Sequence, residues 1–295
     1  MVQCIETPEY VLRIAVCQMR FLFVRICFQR YSREKEMIFE LQQTEEATPL
    51  FAGWQETMIW SCLQGVMGRI YVNSLKNPSS AMALLGDFCF LAGKPDRELA
   101  VYEPGPDREN FRILVPRSRG WEELIEACYG KKAEKVVRYA MKKEADVFDR
   151  KELRTIADRV PDGYCLQRMD EILFWRCRKI AWCRDWVRQY DDYAAYQKYG
   201  LGMVMLKEGE PVSGASSYSG YRGGIEIEID TREDFRRRGF ARICGAELIL
   251  ECLERGWYPS WDAENTWSVA LAEGLGYHFD HVYTAYKIMR ERSVL

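Results

Sequence analysis

Residues 225–241 decide the fold of this chain and read Ile-Glu-Ile-Glu-Ile-Asp-Thr-Arg-Glu-Asp-Phe-Arg-Arg-Arg-Gly-Phe-Ala. Isoleucines alternate with acids over 225–230, which is the period of a strand with one buried face. A polar turn and an Arg-x-x-Gly-x-Ala loop at 236–241 follow. Apolar residues then recur at helical spacing as far as Leu253. The segment therefore predicts a strand, a glycine-containing loop and a helix.

This succession predicts an anion site at the start of the helix. The first-turn N–H groups of a helix have no intrahelical partner, and the helix dipole adds partial positive charge there. Gly239 has no Cβ, so a phosphate has close access to the main chain. The loop is not a nucleotide P-loop, because no Gly-Lys-Ser/Thr follows, and it lacks the G-x-G-x-x-G dinucleotide pattern.

A second group of signals lies downstream of the helix. Residues 258–263 predict a strand, Asn265 and Ser268 predict a helix start, and Leu-Gly-Tyr at 275–277 closes that helix. Loop, strand and helix start together resemble the coenzyme A loop and the following elements of the GNAT N-acetyltransferase superfamily. The resemblance covers about 200–288 and is nearest to a subgroup of zwittermicin-resistance-like acetyltransferases.

The resemblance implies an α/β fold with a mixed α+β sheet and acetyl-CoA as co-substrate. The main-chain amides of 238–242 then hold the pyrophosphate, nearby arginines add charge, and the end of the 225–230 strand pairs with the pantetheine arm. The implied acetyl-CoA contacts are Ile229, Asp230, Thr231, Arg236, Arg237, Arg238, Gly239, Phe240, Ala241, Arg242, Asn265 and Ser268. Asn265 and Ser268 also suit a simple capping role, and the two roles are compatible.

Glu226 and Glu228 are the candidate catalytic residues. They share the strand face opposite the isoleucines, and GNAT bases often lie on this strand. Two interpretations stand at equal weight: one acid accepts the proton of the amine, or both attract a cationic substrate. Glu226 is the first choice for a base, because of its distance before the loop.

The sequence departs from the family pattern at the general acid. Many GNAT enzymes carry a tyrosine seven residues after the asparagine, and Ala272 occupies that position. Tyr277, Tyr283 or Tyr286 remains as a proton donor, or the thiol leaves with main-chain help alone.

Other polar groups give weaker signals. Ser213, Ser216 and Ser217 are either substrate contacts or solvated strand residues. His278 and His281 lack a third ligand, so we expect no metal.

Composition limits the classes of partner. The net charge of −2 argues against nucleic-acid binding, and the arginines within the apolar run 10–28 argue against a membrane span. We expect a cytoplasmic protein that acetylates a primary amine of a small molecule. A non-catalytic acyl-CoA-binding protein and a protein N-acetyltransferase are the alternatives.

Three regions are predicted: an extension with disorder or one loosely packed helix (1–36), an α/β domain that is a degenerate GNAT-like half (37–154), and the GNAT domain (155–295). The pattern is helical over 40–68, 131–143 and 183–199. It predicts an apolar strand or buried segment at 81–91 and a closing hairpin at 278–288.

Overall fold

The computed structural model describes residues 37–104, 111–144 and 146–289; the predicted extension 1–36 lies outside them. The strands of these ranges are β1 (Phe39–Glu40), β2 (Arg69–Val72), β3 (Ser80–Leu85), β4 (Phe88–Gly93), β5 (Phe111–Pro116), β6 (Ala133–Met141), β7 (Tyr164–Arg168), β8 (Gly202–Lys207), β9 (Glu210–Tyr221), β10 (Gly224–Thr231), β11 (Tyr258–Ser260), β12 (Asp262–Ala263) and β13 (Phe279–Met289).

The α-helices of the same ranges are α1 (Thr57–Leu63), α2 (Arg97–Val101), α3 (Arg119–Tyr129), α4 (Arg150–Ala157), α5 (Glu171–Lys179), α6 (Tyr193–Tyr199), α7 (Phe240–Glu254) and α8 (Thr266–Glu273). Short 3-10 helices cover Thr44–Phe51, Gly130–Lys132, Arg184–Trp186 and Glu233–Phe235. None of these helices is long and apolar enough to cross a membrane.

The strands form two sheets. One has the order β11-β10-β9-β8-β7, and the other has the order β1-β2-β3-β4-β5-β13-β6-β12. The last strand, β13, lies between β5 and β6 and is antiparallel to both. The strand β13 is therefore built into a sheet whose other strands, apart from β12, come from residues before 142. The predicted division at 154/155 stays a prediction.

The part of the chain before residue 155 and the part after it carry the same order of elements. In the first, β4 runs parallel to β5 with α2 between them, and α3 leads to β6. In the second, β10 runs parallel to β11 with α7 between them, and α8 leads to β13. The closing strands β6 and β13 pair with each other at the centre. That the first stretch is a degenerate GNAT-like half stays a prediction.

The strand β10 follows its sequence pattern. Ile225 and Ile227 are buried in the cluster that α7 forms with the sheet, and Ile229 packs against that cluster. Glu226 points to the opposite face, where the hydroxyl of Thr57 on α1 meets it. The two faces of one strand thus separate an apolar contact with α7 from a polar contact with α1.

Two element predictions are wrong at the centre of the molecule. Residues 131–143 form the strand β6 rather than a helix, and 279–289 form the single strand β13 rather than a hairpin. Each strand is the other's main partner, more than a hundred residues away in sequence. A local pattern carries no information about such a partner, and tertiary pairing overrides propensity.

Three further predictions are corrected in detail. The predicted helix 183–199 is a 3-10 turn followed by α6, because Asp192 caps a new helix start with a bond from Ala195 N at 2.8 Å. The predicted strand 81–91 is a hairpin of β3 and β4 that turns at Gly86, where φ is +57°. The region 40–68 holds a 3-10 helix and α1 rather than one long helix.

Candidate active site

The five-stranded sheet opens at one place beside β10. β10 and β11 are paired in parallel only at 224–226, and the last pair is Glu226 with Ser260. Beyond that pair β10 continues to Thr231 on β9 alone, while β12 turns away to pair with β6. The half-buried edge of β10 at 227–231 is therefore left without a neighbouring strand on the β11 side. Such an edge accepts an extended ligand through main-chain hydrogen bonds.

Trp261 lies at the opening, where β11 ends and β12 begins. It separates β11 from β12, and its indole is buried. The indole Nε1 donates to Ser268 Oγ at 3.1 Å, and the ring lies 5.5 Å from that of Tyr277. Asn265 Oδ1 accepts from Ser268 N at 3.0 Å and caps α8. The capping role is thus present, whereas contact of Asn265 and Ser268 with acetyl-CoA stays a prediction.

The loop after β10 ends in a left-handed glycine. Gly239 is the N-cap of α7 with φ +82° and ψ 1°, a conformation that favours glycine. An added Cβ would meet no atom within 4 Å. The glycine is therefore required by its backbone angles, and the space beside it is open to a ligand. Phe240 is buried, and Ala241 and Arg242 complete the first turn of α7.

The predicted phosphate-binding arginines divide into two groups. Arg236 donates to Thr231 O at 3.2 Å, Arg238 to Asp234 O at 3.0 Å, and Arg242 to Gly274 O at 2.9 Å. These three arginines brace the loop and the start of α7. Arg237 is exposed, with φ +60°, and makes no side-chain hydrogen bond or ion pair within the described ranges. Its guanidinium is therefore the one in this loop that is left available for an anion.

Glu226 is buried at the point where the sheet opens. Its Oε2 accepts a short hydrogen bond from Thr57 Oγ1, while its Oε1 has no hydrogen-bond partner among the described residues other than the neighbouring Ser260. Burial raises the pKa of Glu226, and nearby Asp262 adds to that rise, while Lys143 and the bond from Thr57 oppose it. The carboxyl therefore has an available oxygen and a pKa shifted toward neutral pH, as a proton acceptor requires.

Glu228 lies further along the open edge and has different surroundings. It is half-buried and faces other acids. Burial raises its pKa well above the ordinary range, with further contributions from Asp230 and Asp185. Burial also raises the pKa of Asp230 to about 6, and Asp185 adds to this. This group of acids suits the attraction of a cation. Abstraction of a proton suits it less, because these acids lie away from the apex of the opening, which is the point where Glu226 pairs with Ser260.

Three residues of the site, Glu56, Arg138 and Asp262, were not predicted from the sequence. Glu56 is the N-cap of α1, and burial raises its pKa to about 8, with Asp262 and Glu226 contributing. Arg138 Nε donates to Asp262 Oδ1 at 2.5 Å, and the candidate donor Tyr283 donates its Oη–H to Asp262 Oδ2 at 2.8 Å. The three residues come from the start of α1, from β6 and from β12, and no local motif marks them.

The three tyrosines considered as proton donors lie in different places. Tyr277 Oη donates to Pro259 O at 2.6 Å, and Tyr286 Oη donates to Glu126 Oε1 at 2.6 Å. Only Tyr283 of the three contacts the acidic group around Asp262. Burial and Asp262 raise the pKa of Tyr283 well above its usual value, so it keeps its proton at neutral pH.

The remaining polar candidates have other partners. Ser213, Ser216 and Ser217 are fully buried and bind Thr231, Tyr196 and Tyr190 respectively, so they are not solvated strand residues. Their contact with a substrate stays a prediction. His278 Nδ1 lies 2.7 Å from Glu144, and His281 Nδ1 lies 2.9 Å from Asp280. In the part of the chain that the structure describes, no group of three or more His, Cys, Asp or Glu residues is placed to hold a metal.

Together these features define an α/β protein with an opened parallel strand pair, a glycine-capped helix start with an exposed arginine at one end of the opening and a buried carboxyl at the other. The model of the GNAT acetyltransferase family matches residues 48–286, and the chain belongs to that family. This agrees with the predicted fold class, which is confirmed.

Individual relatives give the same result. The chain is 25% identical over 241 residues to the uncharacterized N-acetyltransferase YdfB of Bacillus subtilis strain 168, covering 78% of this chain and 89% of that protein. A crystal structure of a GCN5-related N-acetyltransferase-like protein from Streptococcus suis has a TM-score of 0.79 and 45% identity, covering 84% of this chain and 99% of that chain. A GCN5-related N-acetyltransferase from Kribbella flavida, with a TM-score of 0.51 and 17% identity over 83% of this chain and 98% of that one, shares the fold.

The protein is therefore an N-acetyltransferase, as predicted. The narrower resemblance to zwittermicin-resistance-like enzymes stays a prediction.

Proposed function

We propose that the protein transfers the acetyl group of acetyl-CoA to a primary amine of a small molecule, with Glu226 as the proton acceptor. The observation that carries this proposal is the place of Glu226. It forms the last pair with Ser260 before the sheet opens, and its Oε1 has no partner among the described residues other than this neighbouring serine.

The residues around the opening fit acetyl-CoA. The unpaired edge at 227–231, which includes Ile229, Asp230 and Thr231, suits the amide-bearing pantetheine arm. Five residues of strand span about 16 Å, which leads from the apex to the loop. The main chain at Gly239 and the first turn of α7 suit the pyrophosphate, with Arg237 as an added charge. Acetyl-CoA supplies an activated thioester, and the other steps below depend on the protein.

The protein's first task is to remove a proton from the amine. An ammonium group has no lone pair, so Glu226 has to accept a proton before the nitrogen attacks the acetyl carbon. The hydroxyl of Thr57 engages Oε2 and fixes the carboxylate, which leaves Oε1 for the amine or for one bridging water. The raised pKa of Glu226 brings its basicity nearer to what the transfer requires.

The second task is to supply a proton to the departing thiolate. Ala272 has no group for this, whereas Tyr283 lies in the group that surrounds Glu226 and Asp262 and keeps its proton. We assign Tyr283 as the donor in place of the missing family tyrosine. Its hydrogen bond to Asp262 holds the hydroxyl in one orientation.

The residues that bury Glu226 favour a small acceptor. Glu226 is only 4% exposed, and Glu56 and Thr57 at the start of α1 lie against it. A protein acceptor would need an open groove at the carboxylate. The acids Asp185, Glu228 and Asp230 along the edge favour a cationic acceptor.

A thiol-release assay with acetyl-CoA tests the proposal. Small primary amines and lysine-containing peptides are compared as acceptors, with Glu226→Gln as the inactive control. We expect turnover with at least one small amine and none with Glu226→Gln. Turnover with peptides alone would favour the protein N-acetyltransferase, and full activity of Glu226→Gln would contradict the role of Glu226.

A further inference from the structure

Buried oxygen atoms cluster beside Glu226 on the acceptor side of the opening, and we call this cluster the recess. Ser219 on β9 and Ser260 on β11 are the direct neighbours of Glu226, so all three side chains share one face of the sheet. Each is at least 95% buried. In the described part of the chain Ser219 Oγ has no hydrogen-bond partner, and Ser260 Oγ and Glu226 Oε1 have none beyond their contact with each other. Buried polar atoms are rarely left unpaired in native proteins, so this cluster points to a bound polar group.

Glu56 belongs to this recess although it comes from the other stretch of the chain. It is 5% exposed, and its carboxyl makes no capping bond on α1 and no other hydrogen bond or ion pair among the described residues. Its neighbour Thr57 binds Glu226 directly. Glu56 therefore comes next in the chain to a residue that touches Glu226, and Asp262 and Glu226 both contribute to raising its pKa.

The charges around the recess are balanced only while Glu56 is protonated. The acids Glu56, Glu226 and Asp262 act on one another together with the cations Arg138 and Lys143. Arg138 is bound to Asp262, so the half-buried Lys143 balances one further carboxylate. A ligand with one positive charge lets the second carboxyl ionise as well, and the hydroxyls of Ser219 and Ser260 supply further polar contacts.

We propose that Glu56 binds the ammonium group of the acceptor amine, so that the N-terminal stretch completes the acceptor site built on β9, β10 and β11. This inference rests on the proposed function. Glu56 acts on the incoming cation and Glu226 on the proton that leaves it. The substrate class is a primary ammonium compound small enough to lie beneath α1.

The proposal includes a balanced proton exchange. With a pKa of about 8, Glu56 carries a proton at neutral pH in the absence of a cation. Binding of an ammonium ion favours the ionised carboxyl, because a nearby opposite charge stabilises it. Glu56 then releases one proton to solvent for each ammonium ion bound. Among the described residues, the other titratable or charged groups that act on Glu56 or Glu226 include Arg138, Lys143, Asp262 and the tyrosines Tyr221, Tyr258, Tyr277 and Tyr283.

Carbon-13 NMR of the full chain with labelled glutamate carboxyl carbons tests the exchange. The Glu56 resonance is the one absent from Glu56→Gln. We expect it to titrate near 8 in the free protein, and n-butylammonium chloride to lower that midpoint by about one unit, a tenfold change. The uncharged 1-butanol is the matched probe and should leave the midpoint in place. An unshifted midpoint with n-butylammonium would overturn the proposal.

Kinetics give a second measurement. Glu56→Gln should raise the KM for the amine about tenfold and leave the Kd for CoA unchanged, and Glu56→Asp should recover part of the loss. Glu123→Gln, on the exposed face of α3, is the control. An unchanged KM in a folded Glu56→Gln protein would also overturn the proposal. If no amine is acetylated but n-butylammonium still lowers the midpoint, the proposed function fails and the ammonium site stands. If an amine is acetylated but n-butylammonium leaves the Glu56 midpoint unchanged, the ammonium site is contradicted and the proposed function stands.

Discussion

Glu226 and Ser260 face each other across β10 and β11 as the last pair before the sheet opens. Both side chains are buried, and each retains an oxygen atom with no partner in the described part of the chain beyond their contact with each other. The same pair thus ends the strand pairing and begins a polar recess. On one side lies the open strand edge that suits the co-substrate, and on the other lies α1 with Thr57 and Glu56.

Replacement of Glu226 by glutamine should lower kcat about 100-fold, within the usual range for loss of a general base. Glutamine still accepts the bond from Thr57, so the fold and the Kd for acetyl-CoA should change little. Thiol release and a CoA binding isotherm measure the two quantities. Glu228→Gln is the matched control and should keep kcat within about threefold, because Glu228 lies beyond the apex. A larger loss in Glu228→Gln than in Glu226→Gln would reverse the assignment.

The pH dependence follows from the same carboxyl. Burial raises the pKa of Glu226 above its ordinary value, and only the ionised form accepts a proton. The rate should therefore rise with pH through a midpoint above the usual range for glutamate, and it should fall as pH drops below that midpoint. A rate that is flat with pH down to the ordinary glutamate range would show that Glu226 does not limit the reaction.

Arg237 should contribute to CoA binding through the phosphates alone. Arg237→Ala should weaken CoA about fivefold, or about 1 kcal/mol, since the contact is exposed. The effect should diminish at high salt, and pantetheine, which has no phosphate, should bind as before. Arg119→Ala on the exposed surface of α3 is the control. Equal losses for CoA and pantetheine would show a structural role for Arg237 and contradict phosphate binding.

Variants of Ser268 and Asn265 distinguish a structural role at the opening from contact with the co-substrate. Ser268→Ala leaves Trp261 Nε1 buried without an acceptor and should lower the free energy of unfolding by about 1–3 kcal/mol. Asn265→Ala loses the helix cap and should cost about 1 kcal/mol. Urea unfolding measures both values. If Asn265 also touches acetyl-CoA, only Asn265→Ala should weaken the Kd for acetyl-CoA under conditions where both proteins are folded.

Glu56 should make the fold less stable as pH rises. Its pKa is about 8 in the folded protein against 4.5 as an ordinary value, so between these values the folded state holds a proton that the unfolded state has lost. The free energy of unfolding then decreases as pH rises from about 4.5 to about 8. Glu56→Gln should flatten this part of the profile, measured by urea unfolding at each pH. Identical slopes for the two proteins would contradict a buried, protonated Glu56.

The sequence predicted the elements of the co-substrate side well, because their signals are local. The strand 224–231, the loop and the helix start at Phe240 each follow from residues within one turn or one strand. The left-handed backbone of Gly239 is a further reason for glycine that the sequence did not show, and the close approach of a phosphate stays a prediction. Backbone angles in a loop depend on how the helix meets the strand, and the letter sequence does not state them.

Most residues on the acceptor side were not predicted from the sequence, and the reason is physical. Thr57 reaches Glu226 from 169 residues earlier in the chain, and Arg138 reaches Asp262 from 124 residues earlier. The position of β13 between β5 and β6 brings these distant groups together. No periodicity or spacing encodes such contacts, so Glu56, Arg138 and Asp262 carried no recognisable signal.

A crystal structure of the full chain with acetyl-CoA tests the central claim most directly. We expect the pantetheine arm along the edge of β10 at 227–231, the pyrophosphate at Gly239 and Phe240, and the thioester beside Glu226 and Ser260. Electron density for the co-substrate elsewhere, with β10 and β12 drawn together over the opening, would contradict the account.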